Sequence, residues 1–378
     1  MNMRSKAIIT GIGATEFGAL SNENSYTLGA RALSAALDDA GMAKSDIDAL
    51  IVMRIPEYLR FAQLFGIEPG IAMPLPGQGR MSGLAVRLAS SLIASGEAAN
   101  VAIVYGNDGK SAGAKYGGSG DRYAGNDGAV WFPYGMTSPG AVHAMMFSMH
   151  AHQYGTTPDA LAAIATTFRR HALLNPAAVM RKPITRSDYE QSPFIAEPLR
   201  LFDYCLINDG GVAVILSSAH AARDQKNPPV YVRACASALA PGDSGFPPSD
   251  YWRAPMQTVA ASVYQTAALG PDDMGALMIY DNFSPTVLFT LEGFGYCGHG
   301  ESGPFVMQGT LALDGGRFPA NTNGGHLSES YMQGWGLIAE SVRQVRGTAG
   351  ARQIGGPRNV HYMCAAPLSS SIIFSDSP

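Results

Sequence analysis

What the sequence lacks narrows the field first. No apolar run reaches the roughly 20 residues that a membrane-spanning helix needs. The N-terminus shows no charged start followed by a long apolar stretch and a small-residue cleavage pattern, so a secretory leader is not expected. Cysteine is scarce: Cys205, Cys235, Cys297 and Cys364 stand far apart with no Cys-x-x-Cys pair, which argues against a zinc ribbon and a disulfide framework. Charged residues make up only 15% of the 378, and the formal net charge is −4. That balance speaks against nucleic acid as a partner while leaving room for a local phosphate site. No charge block or low-complexity segment interrupts the chain. The absences leave a soluble cytoplasmic enzyme as the expectation, with 46% hydrophobic residues to fill one large core or two closely packed ones.

Glycine, by contrast, is abundant: 44 residues are spread along the chain, as many tight turns between short α and β elements require. Ala7–Ile12 reads as a buried strand, Thr27–Ala40 as a helix with apolar residues at a 3.6-residue period, and Ile47–Met53 as another strand. The same order returns past the middle: strand Val230–Ala234, helix Met256–Ala268, strand Met274–Tyr280. A second pair extends the match, since the helix Ser82–Gly96 and strand Asn100–Val104 have counterparts in Gly334–Gly347 and Asn359–Met363. Alternation of this kind predicts a layered α/β fold, and its duplication predicts a pseudo-twofold core with the active site between the halves.

The predicted division is an N-terminal half, 1–228, and a C-terminal half, 229–378. Within the first half, 106–202 does not repeat. It begins rich in Gly, Asp and Tyr, then turns helical at Ala141–Tyr154 and Pro158–Leu174, and is expected to form a lid or binding surface.

Several stretches fall in an order and spacing that resembles the thiolase superfamily, in its sterol-carrier-protein-type branch. They are Tyr154-Gly-Thr-Thr, Pro198-Leu-Arg-Leu-Phe-Asp203, Asn208-Asp-Gly-Gly211, Tyr280-Asp-Asn-Phe283 and Asn321-Thr-Asn-Gly-Gly325. The resemblance spans essentially the whole chain. It implies a thiolase fold: a duplicated, five-layered αβαβα core with an inserted loop domain, usually dimeric. Thiolases of this branch use four catalytic positions, and three of them are changed here. Arg80-Met-Ser-Gly83 stands where the nucleophilic cysteine opens its motif, so Arg80 replaces the nucleophile. A guanidinium stays protonated and cannot be acylated, which excludes thioester exchange at that position. Tyr280 replaces the Asn or His that holds the thioester oxygen, and Tyr331 falls on the cysteine-activating histidine, with His326 nearby but out of register. Only Cys364, matching the acid/base cysteine, is retained.

Two phenols and a guanidinium suit proton transfer. A tyrosine, ordinarily near pKa of about 10, becomes a general base if nearby positive charge lowers it, and Arg80 at a helix N-terminus is the candidate source. The chain looks like the lipid-transfer-protein-like aldolases that remove steroid side chains as CoA thioesters. That likeness implies retro-aldol cleavage of a β-hydroxyacyl-CoA to a ketone and a short acyl-CoA such as propionyl-CoA. Tyr331 is assigned as base and Tyr280 as acid or second donor, an assignment that can be exchanged, with backbone N–H groups from Cys364 to Leu368 holding the oxyanion. It further implies a homodimer, a small OB-fold partner from the domain-of-unknown-function family found beside such thiolases, and no cofactor or metal, since CoA belongs to the substrate.

Asn282, His326 and Tyr296 are candidates for the substrate pocket, and His299 lies in a Gly-rich loop near the matched site. Trp131, Tyr134 and Met145–Met149 suit either a bulky apolar pocket or the core. Gly11-Ile-Gly13 lacks the third glycine of a dinucleotide turn, and His150-Ala-His152 points apart on a helix, unlike metal ligands. Two rivals stand beside the lyase: a non-catalytic acyl-CoA-binding subunit, and a Claisen-type acyl transferase acting through Cys364.

Overall fold

A computed structural model describes residues 7–77, 79–114, 138–223, 226–240 and 247–378. Trp131, Tyr134 and the first, Gly/Tyr-rich part of the insertion beyond residue 114 lie outside these residues.

The N-terminal set comprises β1 (Ala7–Ala14), α1 (Ser25–Ala40), β2 (Ala49–Met53), α2 (Tyr58–Phe65), β3 (Ile71–Leu75), α3 (Met81–Ser95) and β4 (Asn100–Asn107). The insertion contributes α4 (Pro139–Tyr154), α5 (Pro158–Leu173), α6 (Arg186–Gln191) and the hairpin β5 (Phe194–Ala196) and β6 (Leu199–Arg200), before β7 (Gly210–Ser218) closes the set. The C-terminal set is β8 (Val230–Leu239), α7 (Arg253–Ala267), β9 (Ala276–Ile279), α8 (Ser284–Gly293), α9 (Ser302–Met307), α10 (Gly325–Ser328), α11 (Trp335–Arg346), β10 (Asn359–Cys364) and β11 (Leu368–Ser375).

The duplication predicted from sequence is the topology observed. Strands β2 and β4 pair in parallel, β4 with β7 and β7 with β1 antiparallel; β9 and β10 pair in parallel, β10 with β11 and β11 with β8 antiparallel. The two sets join through β1 and β8 over only two residue pairs, Ile8–Tyr231 and Ile9–Val230, in the order β3-β2-β4-β7-β1-β8-β11-β10-β9. One face of both sets packs on α3 and α11, whose Ala85, Ala89, Trp335 and Ile338 share a buried cluster with strands of each half. Helices α1 and α2 cover the other face of the first set, and α4, α5, α7 and α8 that of the second. Five layers result, with α3 and α11 in the middle, as the thiolase resemblance implied.

Local signals explain the outer helices. Asn24 caps α1 by accepting the N–H groups of Tyr26 and Thr27, and Gly41 ends the helix at φ 68. Gly11 and Gly13 belong to β1, where a Cβ would overlap the carbonyl oxygens of Ala36 and Ala32. They let α1 lie directly on the strand, so this pair serves packing and not a nucleotide turn. The Met-rich stretch divides: Met146 is fully buried and Met149 packs on the outer core, while Met145 is exposed. His150 is buried with its Nε2 3.0 Å from Glu292, and exposed His152 faces elsewhere. No helix is long and apolar enough to cross a membrane, and no cluster of metal-ligating side chains forms, among the described residues.

Candidate active site

Strand β9 stops at Ile279, so Tyr280 leaves the sheet at its carboxyl end, in the middle of the molecule. Its N–H donates to Met363 at 2.8 Å, which holds the ends of β9 and β10 side by side and brings Cys364 next to it. Tyr280 is buried and its hydroxyl is turned onto the backbone of Gly79, where any Cβ would overlap it. The next residue, half-buried Arg80, is the N-cap of α3. Thus the glycine before the arginine is the residue that admits the tyrosine.

Tyr331 reaches the same point from the irregular segment between α10 and α11. The two hydroxyl oxygens are 2.9 Å apart, and the rings meet edge-on at 70°. His326 stands between them, its ring 4.6 Å from that of Tyr280 and 5.1 Å from that of Tyr331. Its Nε2 accepts the Gly334 N–H at 3.0 Å, so the ring proton belongs on Nδ1, which faces Asp281 Oδ1 at 3.3 Å. That approach is too poorly aligned for a hydrogen bond and acts as an electrostatic contact. Burial lowers His326 to about 3, so the imidazole is neutral and serves as a post for both phenols.

Tyr280 is held in its protonated form. Burial, followed by the neighbouring Tyr331 and Cys364, raises its pKa well above the ordinary phenol value. The protonated form of Tyr280 is therefore favoured, while Tyr331 is the half-buried phenol of the pair, and either oxygen can donate across the 2.9 Å contact. Burial also pushes the Cys364 thiol up to about 12, with Arg80 only partly opposing it. Asp281 is pushed up to about 8 by burial, against the backbone N–H groups of His326 and Leu327 that its carboxyl accepts.

The floor of the site is a contact between two helix starts. Ser82, in the first turn of α3, donates to Gly79 O at 3.0 Å and accepts the Tyr362 hydroxyl at 2.7 Å. Gly334, at φ 93 before α11, lies against the same Tyr362 and Ser82. Gln333 ties the two loops by donating from Nε2 to Gly77 O at 2.9 Å.

Arg80, Tyr280, His326, Tyr331 and Cys364 are therefore brought together. Asn282 and Tyr296 are not in that contact. The Asn282 Oδ1 accepts the Thr286 hydroxyl at 2.9 Å at the start of α8. The Tyr296 hydroxyl pairs with His361 Nδ1 at 2.7 Å, and His361 alternates to the opposite face of β10 from Tyr362 and Cys364. His299 is exposed. Asp281 and Asn208, which buttress the pair, were missed from sequence beyond their place in quoted motifs; both act through backbone N–H groups far along the chain.

Residues 248–366 match the family described as Thiolase C-terminal domain-like. Over 98% of its length and 98% of the relative's, the chain is 35% identical to a steroid side-chain-cleaving aldolase of Thermomonospora curvata. It is likewise 35% identical to the 17-hydroxy-3-oxo-4-pregnene-20-carboxyl-CoA lyase of Mycobacterium tuberculosis, over 91% of this chain and 92% of that one. Among solved structures, the Ltp2-ChsH2(DUF35) aldolase superposes over all of both chains with a TM-score of 0.90 and 33% identity. Human mitochondrial 3-ketoacyl-CoA thiolase, at 14% identity and a TM-score of 0.74, shares the fold.

Proposed function

The chain belongs to the thiolase-like family that includes steroid side-chain-cleaving aldolases, and from that premise we propose that it is a carbon–carbon lyase acting on a β-hydroxyacyl-CoA. The observation that carries the reading is the pair of hydroxyls, Tyr280 and Tyr331, 2.9 Å apart at the helix start where Arg80 stands in place of a nucleophile.

In this reading Tyr331 acts as its phenolate, and that oxygen takes the proton of the substrate's β-hydroxyl. The oxygen's electrons form the ketone C=O as the Cα–Cβ bond breaks, and the bonding pair passes to the thioester enolate. The α-carbon then receives a proton from Tyr280 or Cys364, both protonated because burial raises them, and the proton taken by Tyr331 passes on to that donor, across the 2.9 Å contact in the case of Tyr280, which restores both groups. The enolate oxygen is stabilised by the positive start of α3 and by the Ala365 N–H, since Pro367 has none and the Ala366 N–H meets Ser369 Oγ at 3.4 Å. No oxidant or further reactant enters the balance, so no cofactor is needed. The names of the relatives support a steroid side-chain thioester as the substrate class, and propionyl-CoA is the short product this reading expects.

The test is incubation of the purified chain with branched β-hydroxyacyl-CoA candidates, with and without a small OB-fold partner, followed by mass spectrometry. A ketone and a shortened acyl-CoA are expected; intact substrate under every condition overturns the reading. The partner is suggested by the name of the Ltp2-ChsH2(DUF35) aldolase. A homodimer is suggested by the sheet edges. At β9 the edge is covered by Asn321, whose side chain pairs with the backbone of Ile279, whereas among the described residues β3 pairs only with β2. Light scattering of the purified chain reads the stoichiometry, and a monomer overturns that part.

The acyl-transferase alternative requires a Cys364 thiolate. With the thiol pushed up to about 12 and no exposure, Cys364 is expected to resist iodoacetamide at pH 8 and to gain no acyl mass from acyl-CoA. Intact-protein and peptide mass spectrometry check both; an acylated Cys364 would favour the transferase instead.

A further inference from the structure

Tyr331 sits outside regular secondary structure, yet the reaction proposed above needs its hydroxyl held against Tyr280. What fixes its backbone comes from the other half of the chain. The Tyr331 N–H donates to Oδ1 of Asn208 at 2.7 Å, across 123 residues. Asn208 is 2% exposed and lies two residues before β7.

That amide is itself clamped. The Asn208 carbonyl accepts from Asn107 Nδ2 at 2.8 Å, and Asn208 Nδ2 is turned to the Asp209 carbonyl at 3.1 Å, which leaves Oδ1 for Tyr331. Asn107, at the end of β4, accepts from Arg54 Nε at 3.2 Å and from the Gly109 N–H at 3.3 Å. The Asp209 carboxylate gathers the N–H groups of Leu20, Lys110 and Ser111. On its other side, Tyr331 is followed by two left-handed residues, Gln333 at φ 50 and Gly334 at φ 93, which turn the chain straight into α11. Before Tyr331, Ser328 and Glu329 are held by the N–H groups of Met180 and Val179, and after it comes the tight turn; at Tyr331 itself the N–H is held by the buried Asn208 side chain.

We propose that Asn208 is a positioning residue: it sets the depth at which Tyr331 enters the site, and so the contact between the two tyrosine hydroxyls. The inference rests on the lyase reading for its effect on rate, and on geometry alone for its effect on Tyr331. A reacting group displaced by about 1 Å loses on the order of 10²-fold in rate, so one hydrogen bond to the backbone of the proton acceptor carries a large lever.

The experiment compares Asn208→Ala, Asn208→Asp, Tyr331→Phe and the double variant Asn208→Ala/Tyr331→Phe. Asn208→Ala is expected to lower kcat by roughly 10- to 100-fold with KM changed less than about twofold. Asn208→Asp keeps an acceptor oxygen and is expected to recover most of that loss. In the Tyr331→Phe background, Asn208→Ala is expected to add little, because both changes act through one group. A full additional loss in that background, or a raised KM with kcat intact, overturns the proposal. A second readout is independent of turnover: with tyrosines labelled with 13C at Cζ, the resonance that Tyr331→Phe deletes is expected to shift in Asn208→Ala. An unmoved resonance overturns the proposal even if the lyase reaction is established. Absence of cleavage by the unaltered chain overturns the lyase reading instead, and leaves the resonance to decide the placement.

Discussion

Tyr331→Phe is expected to lower kcat by about 10²–10⁴-fold while the protein stays folded, the usual range for loss of a positioned general acid or base. The substitution removes one oxygen and keeps the ring that packs against His326, so circular dichroism and the melting temperature should remain near those of the parent. Tyr280→Phe is expected to cost less. Tyr280 is buried and its protonated form is favoured, so in the lyase reading its part is to steady the Tyr331 oxygen and to deliver a proton late in the reaction. The rival picture, a non-catalytic acyl-CoA-binding subunit, makes the opposite prediction: whatever turnover is measured should be indifferent to both phenols. Equal rates in both variants and the parent would sink the lyase assignment.

Gly79→Ala is the second large effect, and it touches no reacting atom. The new methyl would occupy the position of the Tyr280 hydroxyl, against a backbone held by the Ser82 bond to the Gly79 carbonyl. Either the start of α3 moves and carries Arg80 with it, or Tyr280 swings away from Tyr331. Overpacking of this kind typically costs 1–3 kcal/mol in stability, within what a chain of this length tolerates. The rate should fall by about 10²-fold or more, because the phenol pair is separated. Trimming the clashing side chain in Gly79→Ala/Tyr280→Leu should restore the melting temperature without restoring turnover. A Gly79→Ala protein with normal kcat would show that the hydroxyl contact is dispensable.

How much of this was legible in the sequence depended on the reach of each signal. The repeated order of strand, helix, strand was readable because burial leaves a period in the residues themselves, as in Leu28, Ala32, Leu33 and Ala36 on α1. The repeat as read stopped short of β7 and β11. The latter opens Leu368-Ser-Ser-Ser and does not look apolar, although its serines are fully buried. Edge strand β3, with Pro74 in it, was likewise silent. Arg80, Tyr280, Tyr331 and Cys364 were located by their register within motifs, and the structure draws them to one place. What register could not supply was their depth. Tyr296 lies in a loop near the matched motif, yet β10 separates its hydroxyl from Cys364. Nor could the sequence supply the burial that raises Tyr280 above the ordinary phenol value.

The meeting of Gly334 with Ser82 has a consequence of its own. It places the amino ends of two buried helices, α3 and α11, nose to nose, each bearing roughly half a positive charge from its aligned peptides. Two like poles side by side raise the positive potential at the junction, and that repulsion eases when negative charge arrives between them. An enolate generated at that junction is the charge that relieves it. The attraction belongs to the main chain, so it survives whatever side chains occupy the helix starts. A scaffold of this kind can exchange a thiol for a guanidinium and an imidazole for a phenol, and still favour the same anion.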